Sequence, residues 1–163
     1  MSVRLSVIIP THNKFDFLQK TLLSFNDVVF NRDEFEVIVC INGYEKSMEY
    51  LLLSLNLNYK LVICETSIKG RANARNVAIN KSKGDILVFT DDDTLPSKEY
   101  LSVYDSLNKE DCNNIIIGKR KQIYTNDLAK LKTSSLDKIS YNSIYYGTVV
   151  NRIFENKKKV NIG

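Results

Sequence analysis

Asp85-Ile86-Leu87-Val88-Phe89-Thr90-Asp91-Asp92-Asp93 is the stretch from which the fold can be worked out. Its centre, Ile86 to Phe89, is a short unbroken apolar run, the pattern of a strand covered on both faces in a parallel sheet. Three carboxylates close it. Two acids roughly 4 Å apart at an effective dielectric of about 20 repel by on the order of 4 kcal/mol, so they either fan out into water or enclose a positive charge. A hard divalent cation, held by oxygen atoms and sharing its remaining positions with a ligand's phosphates, would relieve the repulsion. The plainer reading is a solvated turn before a helix, since Thr94 to Ser97 followed by Lys98-Glu99-Tyr100-Leu101 looks like a helix start with Pro96 in its first turn. The neighbouring segments decide between the two.

Immediately upstream, Lys69 to Lys81 predicts a helix that starts after Gly70 and turns Ala74, Val77 and Ala78 inward. Small residues let such a helix lie close on a sheet. Arg71 and Arg75, four residues apart, share one side of its first turns. They are ordinary surface arginines, or they face an anion at the head of the helix. Ser82-Lys83-Gly84 follows, with Gly84 placed to cap the helix C-terminus.

From the N-terminus, Leu5 to Ile9 is a β-branched strand closed by Pro10. Lys14 to Asn26 has helical spacing through Phe17, Leu18, Leu22 and Phe25, with Asn13 available as its cap. Phe35 to Ile41 is a second strand ending in the turn Asn42-Gly43. A helix over Tyr44 to Leu55 and a strand over Tyr59 to Cys64 complete an alternation that indicates a mostly parallel sheet with helices on both faces. Pro10 to Asn13, Asn42-Gly43, Gly70 to Arg75 and Asp91 to Asp93 then all fall just beyond strand ends, where open parallel sheets bind ligands. Four independent turns would have no reason to converge there.

The 163 residues allow one domain with a real core, and 44% hydrophobic with 26% charged residues is a globular composition. No window is long and apolar enough to span a bilayer, and the N-terminus lacks the pattern of a secretory signal, so the expected location is the cytoplasm. The net charge of +4, with acids interspersed, gives no reason to expect nucleic acid. Lys119-Arg120-Lys121 and Lys157-Lys158-Lys159 read as solvated surface. Cys40, Cys64 and Cys112 have no metal-ligand spacing, and the single histidine, His12, excludes a multi-histidine metal site within one chain.

These segments together resemble the glycosyltransferases of the GT-A fold, and within them family 2. The resemblance is carried by Ser6 to Asn13, Glu36 to Val39, Gly70 to Asn76, Lys83 to Asp93 and, more loosely, Ile115 to Gly118. It implies a Rossmann-like α/β core over residues 1–120 that binds a nucleoside-diphosphate sugar, a UDP-sugar in first place, with Mn²⁺ or Mg²⁺. It also implies that Pro10, Thr11 and Asn13 border the base and that Arg71 and Arg75 lie near base or diphosphate. Asp91 would lie towards ribose and metal, with Asp92 or Asp93 as the metal ligand. Transfer to a saccharide or other hydroxyl acceptor with inversion is the implied reaction.

The chain departs from the family pattern in two places. Many relatives carry an aspartate pair after the second strand, against the base; here Asn42 stands, and an amide donates as well as accepts. Beyond Ile117 nothing matches an acceptor-binding region with its carboxylate base, so residues 121–163 are expected to begin that region without completing it. The rest of a longer chain, a partner chain or a second copy would then complete the site. Asp111, Asp127, Asp137 and Glu155 read as surface acids, Leu128 to Ile139 as a helix, and Tyr141 to Tyr146 as an aromatic stretch that packs in the core or lines an acceptor groove. The alternative class is a non-catalytic module that binds a nucleotide sugar without turnover. An aspartyl-nucleophile phosphatase would carry its acids after the first strand, and a sugar nucleotidyltransferase would place glycines where Pro10 to Asn13 stand.

Overall fold

The computed structural model describes residues 2–43, 46–110, 115–121 and 144–151; for Lys46, Glu110, 119–121 and 144–151 only the backbone is considered. In chain order the elements are β1 (Leu5–Thr11), α1 (Phe15–Ser24), a 3₁₀ turn (Phe25–Asp27), β2 (Phe35–Asn42), α2 (Lys46–Leu53) and β3 (Lys60–Thr66). They continue with α3 (Arg71–Lys81), β4 (Ile86–Phe89), α4 (Tyr100–Glu110), β5 (Ile115–Lys121) and β6 (Ile144–Asn151). Six strands form one sheet in the order β3-β2-β1-β4-β6-β5. The first four run parallel; β6 lies antiparallel to both β4 and β5.

Both faces of the parallel part are apolar, which is why its strands read as continuous hydrophobic runs. Val7, Ile9, Val37, Val39, Ile41, Ile86 and Val88 pack with Leu18 and Leu22 of α1, Met48 and Leu52 of α2, and Leu101 and Tyr104 of α4. The alternate residues Ile8, Ile38, Cys40, Leu87 and Phe89 lie against Ala74 and Ala78 of α3. Helices therefore cover both faces, and the alanines are inward as the sequence predicts.

Chain order reverses at β1. The chain steps outward from β1 through β2 to β3, then returns to place β4 on the other flank of β1. The carboxyl ends of β1 and β4 therefore border the crevice in which doubly wound sheets bind ligands.

Three local expectations are corrected. Asn13 does not cap α1: the cap position is Lys14, with no side-chain bond to the helix, and Asn13 occupies the left-handed region at φ 50. Asparagine tolerates that conformation better than most residues, so it serves the turn. Gly84 is not the cap of α3, whose cap is Ser82 in extended conformation. A Cβ on Gly84 would meet the backbone of Leu5 and Ser6 at 2.6 Å, so the glycine permits close passage over β1. Finally, α4 begins at Tyr100, leaving Pro96 in the connection before it. Segments 111–114, 122–143 and 152–163 lie outside the described residues, and with them Cys112, the acids Asp111, Asp127, Asp137 and Glu155, and the lysines at 157–159. So do the expected helix over Leu128 to Ile139 and the start of the aromatic stretch, Tyr141 to Ser143.

Candidate nucleotide-sugar site at the carboxyl edge

The ends of β1 and β4 are joined by a side-chain bond: Thr11 Oγ1 donates to Asp92 Oδ2 at 2.9 Å, and both residues are buried. Thr21, on the inward face of α1, donates its hydroxyl to the Asp92 carbonyl at 2.9 Å. Asp92 is thus fixed at backbone and side chain by two different elements. Asp91 turns towards α3 and accepts from Arg75 Nη2 at 3.2 Å. Asp93 points outward, with 45% of its side chain exposed.

Lys14 holds the remaining position. Its Nζ stands 3.9 Å from Asp92 Oδ1 and 3.7 Å from Asp93 Oδ2. Burial raises the pKa of Asp92; Thr11 and Lys14 act against that rise without cancelling it, while Asp93 and Asp91 add to it. Asp92 is thus a carboxylate taken out of water chiefly by burial and supplied with too few donors to make that good, beside two further acids. A cation placed beside Asp92 and Asp93 would relieve both the lost hydration and the repulsion between the acids.

The other strand ends are tied together by backbone and amide groups. His12 Nδ1 lies 2.6 Å from the Asn42 carbonyl, so that nitrogen carries the proton and donates it. Asn42 Oδ1 accepts from the Gly70 N–H at 3.1 Å, which links the end of β2 to the head of α3. Gly70 has φ 135, a conformation that favours glycine, and so delivers the chain into α3. Asn73 Nδ2 donates to Thr66 Oγ1 at 2.7 Å, adding the end of β3. With its oxygen engaged by Gly70, Asn42 keeps its NH₂ as the group to offer a ligand.

Comparison with known proteins gives this geometry a family. Residues 6–163 match the sequence profile of glycosyl transferase family 2. The chain belongs to that family. A relative in Bacillus subtilis (strain 168), the uncharacterized glycosyltransferase YfnE, is 35% identical over 127 residues, which is 76% of this chain and 32% of the relative. The poly(ribitol-phosphate) beta-N-acetylglucosaminyltransferase TarS of Staphylococcus aureus (strain Mu50 / ATCC 700699) is 28% identical over 123 residues, 74% of this chain and 22% of TarS. The family 2 chain thus spans about a third or less of the length of these relatives.

Among solved structures, S. aureus TarS 1-349 in complex with UDP-GlcNAc matches with a TM-score of 0.68 at 24% identity, over 77% of this chain and 36% of that one. The mannosyltransferase PcManGT from Pyrobaculum calidifontis, in complex with GDP-Man and Mn²⁺, gives 0.65 at 24% identity, over 75% of this chain and 36% of that one. These likenesses show the fold, and the fold is GT-A. The family match also runs to residue 163, well past the last matching motif in the sequence, near Gly118.

The site residues anticipated from the sequence come together in this family 2 chain to different degrees. Thr11, Arg75, Asp91 and Asp92 form one bonded group, and Asp93 joins it through Lys14. Asn42 belongs to the neighbouring group around Gly70, Pro10 is the penultimate residue of β1, and Asn13 and Arg71 are exposed at the heads of α1 and α3. Sequence reasoning missed Lys14 and Thr21. The available signal for Lys14 was a cation at the head of the first helix, in a chain whose three adjacent acids need one.

The three acids do not converge on a single point: among the described residues no group of three His, Cys, Asp or Glu side chains could hold a metal ion together. The hard oxygen donors still suit Mn²⁺ or Mg²⁺, because such ions take one or two carboxylates and fill their shells with phosphates and water. Among the described residues, no helix is long and apolar enough to cross a membrane.

Proposed function

We propose that this chain binds a nucleoside-diphosphate sugar, with a UDP-sugar the first expectation, in the crevice between the ends of β1 and β4, for inverting, metal-dependent transfer of the sugar to a hydroxyl of a saccharide or other acceptor. The observation that carries this reading is the Thr11–Asp92 bond across the reversal point of the sheet, which holds an under-compensated carboxylate beside a half-exposed one. Two structures of similar fold support it: TarS in complex with UDP-GlcNAc, and PcManGT in complex with GDP-Man and Mn²⁺.

In this reading Pro10, Thr11, Asn13 and Asn42 border the base, with the Asn42 NH₂ donating to it. Arg71 and Arg75 lie beside base or diphosphate at the head of α3, where exposed N–H groups favour an anion. Asp91, steadied by Arg75, serves the ribose side, and Asp92 and Asp93 hold Mn²⁺ or Mg²⁺. Thr11 and Thr21 keep Asp92 in place. The bound ion would neutralise charge on the leaving nucleoside diphosphate. Residues 1–120, with β6 completing their sheet, form the donor side, and the rest of 121–163 begins the acceptor side, which the rest of a longer chain, a second copy or a partner completes. The cytoplasm is the compartment of action.

Calorimetric titration with UDP, GDP and their sugar conjugates, with and without Mn²⁺, tests the reading. One nucleotide should bind in a Mn²⁺-dependent manner, and the double variant Asp92→Ala/Asp93→Ala should weaken that binding by at least about 100-fold. Binding unchanged by both Mn²⁺ and the double substitution would overturn it. Binding without turnover when acceptors and a completing chain are supplied would identify a non-catalytic module instead.

A further inference from the structure

We propose that Lys14 is a built-in counter-cation of the Asp92–Asp93 pair and that a divalent ion enters this site by displacing the lysine ammonium group. This rests on the metal reading given above. Of the four oxygens on Asp92 and Asp93, Asp92 Oδ2 is taken by Thr11, while Asp92 Oδ1 and Asp93 Oδ2 face the same nitrogen. At 3.9 and 3.7 Å that nitrogen is beyond hydrogen-bonding range of both. It links the two acids by charge alone.

The bridge can be given up easily. Half of the Lys14 side chain is exposed, at 52%, and an exposed ion pair of this length is weak. Lysine is a compact charge on a flexible stem, able to swing into solvent without disturbing the backbone. The partner acid, by contrast, is fixed: Thr11 and Thr21 hold Asp92 whether or not the ammonium group is present. The site therefore stays assembled while its occupant changes. Asn13, at φ 50, sets the turn from which Lys14 reaches back to the end of β4.

The consequence is competition. Lys14 lowers the repulsion in the metal-free protein and for the same reason weakens metal affinity, which keeps the site closed to low concentrations of the ion.

Binding of Mn²⁺ to the full chain, read from the electron paramagnetic resonance signal of the free ion, tests this without any turnover. Lys14→Met should bind Mn²⁺ about three- to tenfold more tightly than wild type, and Lys14→Arg, which keeps the charge, should stay nearer to wild type. Asp93→Asn should weaken binding in both the wild-type and Lys14→Met backgrounds. Thermal unfolding of each variant confirms that the comparison is among folded proteins. Equal or weaker Mn²⁺ binding by Lys14→Met, with wild type binding normally, overturns the role of Lys14 and leaves the metal site standing. Absence of Mn²⁺ binding in every variant, with UDP present as well as without it, overturns the metal reading and this inference with it. Binding by Lys14→Met alone overturns displacement, since the lysine would then exclude the ion instead of yielding to it.

Discussion

Glu36 and Asp92 are carboxylates buried in the same sheet, one near the start of β2 and one just past the end of β4, and their surroundings treat them in opposite ways. Glu36 is fully buried, yet it accepts from Ser6 Oγ at 2.9 Å, Lys60 Nζ at 2.7 Å and the Lys83 N–H at 2.7 Å. Burial works to raise its pKa, but these donors outweigh burial and hold it below the ordinary glutamate value. Asp92 has one hydroxyl and a distant ammonium group, and its pKa is raised. A carboxylate supplied with donors is a joint of the scaffold. One left short of them, in a fixed position at a crevice, has capacity for a ligand.

The largest expected effect breaks the well-supplied end. Gly84 donates its N–H to Ser6 Oγ at 2.8 Å while passing against the β1 backbone. Gly84→Ala forces a methyl group into backbone atoms that cannot yield, and should cost about 3 kcal/mol in urea denaturation. Nucleotide and Mn²⁺ affinities of the remaining folded protein should not change, since the carboxyl edge is untouched.

The dependence of stability on pH sharpens the contrast. The folded pKa of Glu36 is depressed, so its contribution is complete above the ordinary glutamate range and is lost as pH falls through the depressed value. Asp92 has the opposite sign. The folded state keeps its proton to higher pH than the unfolded chain, so between the raised and ordinary values acidification favours folding. Glu36→Gln should lose about 2 kcal/mol at neutral pH and flatten the acid limb. Asp92→Asn should be at least as stable as wild type at neutral pH. Denaturation midpoints measured from neutral pH down through the carboxylate range check both, and slopes of the same sign for the two residues would refute the contrast.

The smallest effect is at Ser6, which donates to Glu36 and accepts from Gly84. Ser6→Ala should cost about 1 kcal/mol, measured in the same way.

The parallel core was legible because each of its strands is apolar on two faces and each is followed by a helical period. The gathering of Thr11, Asp91, Asp92 and Arg75 was legible for a related reason: residues just beyond parallel strand ends share one edge. What could not be read depended on approaches between distant segments. Gly84 looks like a helix cap until β1 is placed beneath it, and Asn13 looks like one until its φ is known. Lys14 and Thr21 act across about 70 residues or more of sequence, where periodicity carries no information. The placement of β6 between β4 and β5 was equally hidden, since an antiparallel strand can return to either flank of its neighbour.

That placement bears on how the protein is made. β1, β2, β3 and β4 can pair as soon as they leave the ribosome, but the outer edge of β4 waits for β6, which ends at Asn151. At roughly 5–20 residues per second the edge stays open for several seconds of synthesis. β4 is only four residues long, which leaves little open ladder for a neighbouring nascent chain to join. The brevity of the strand that presents the acids is thus also a protection while the polypeptide is unfinished.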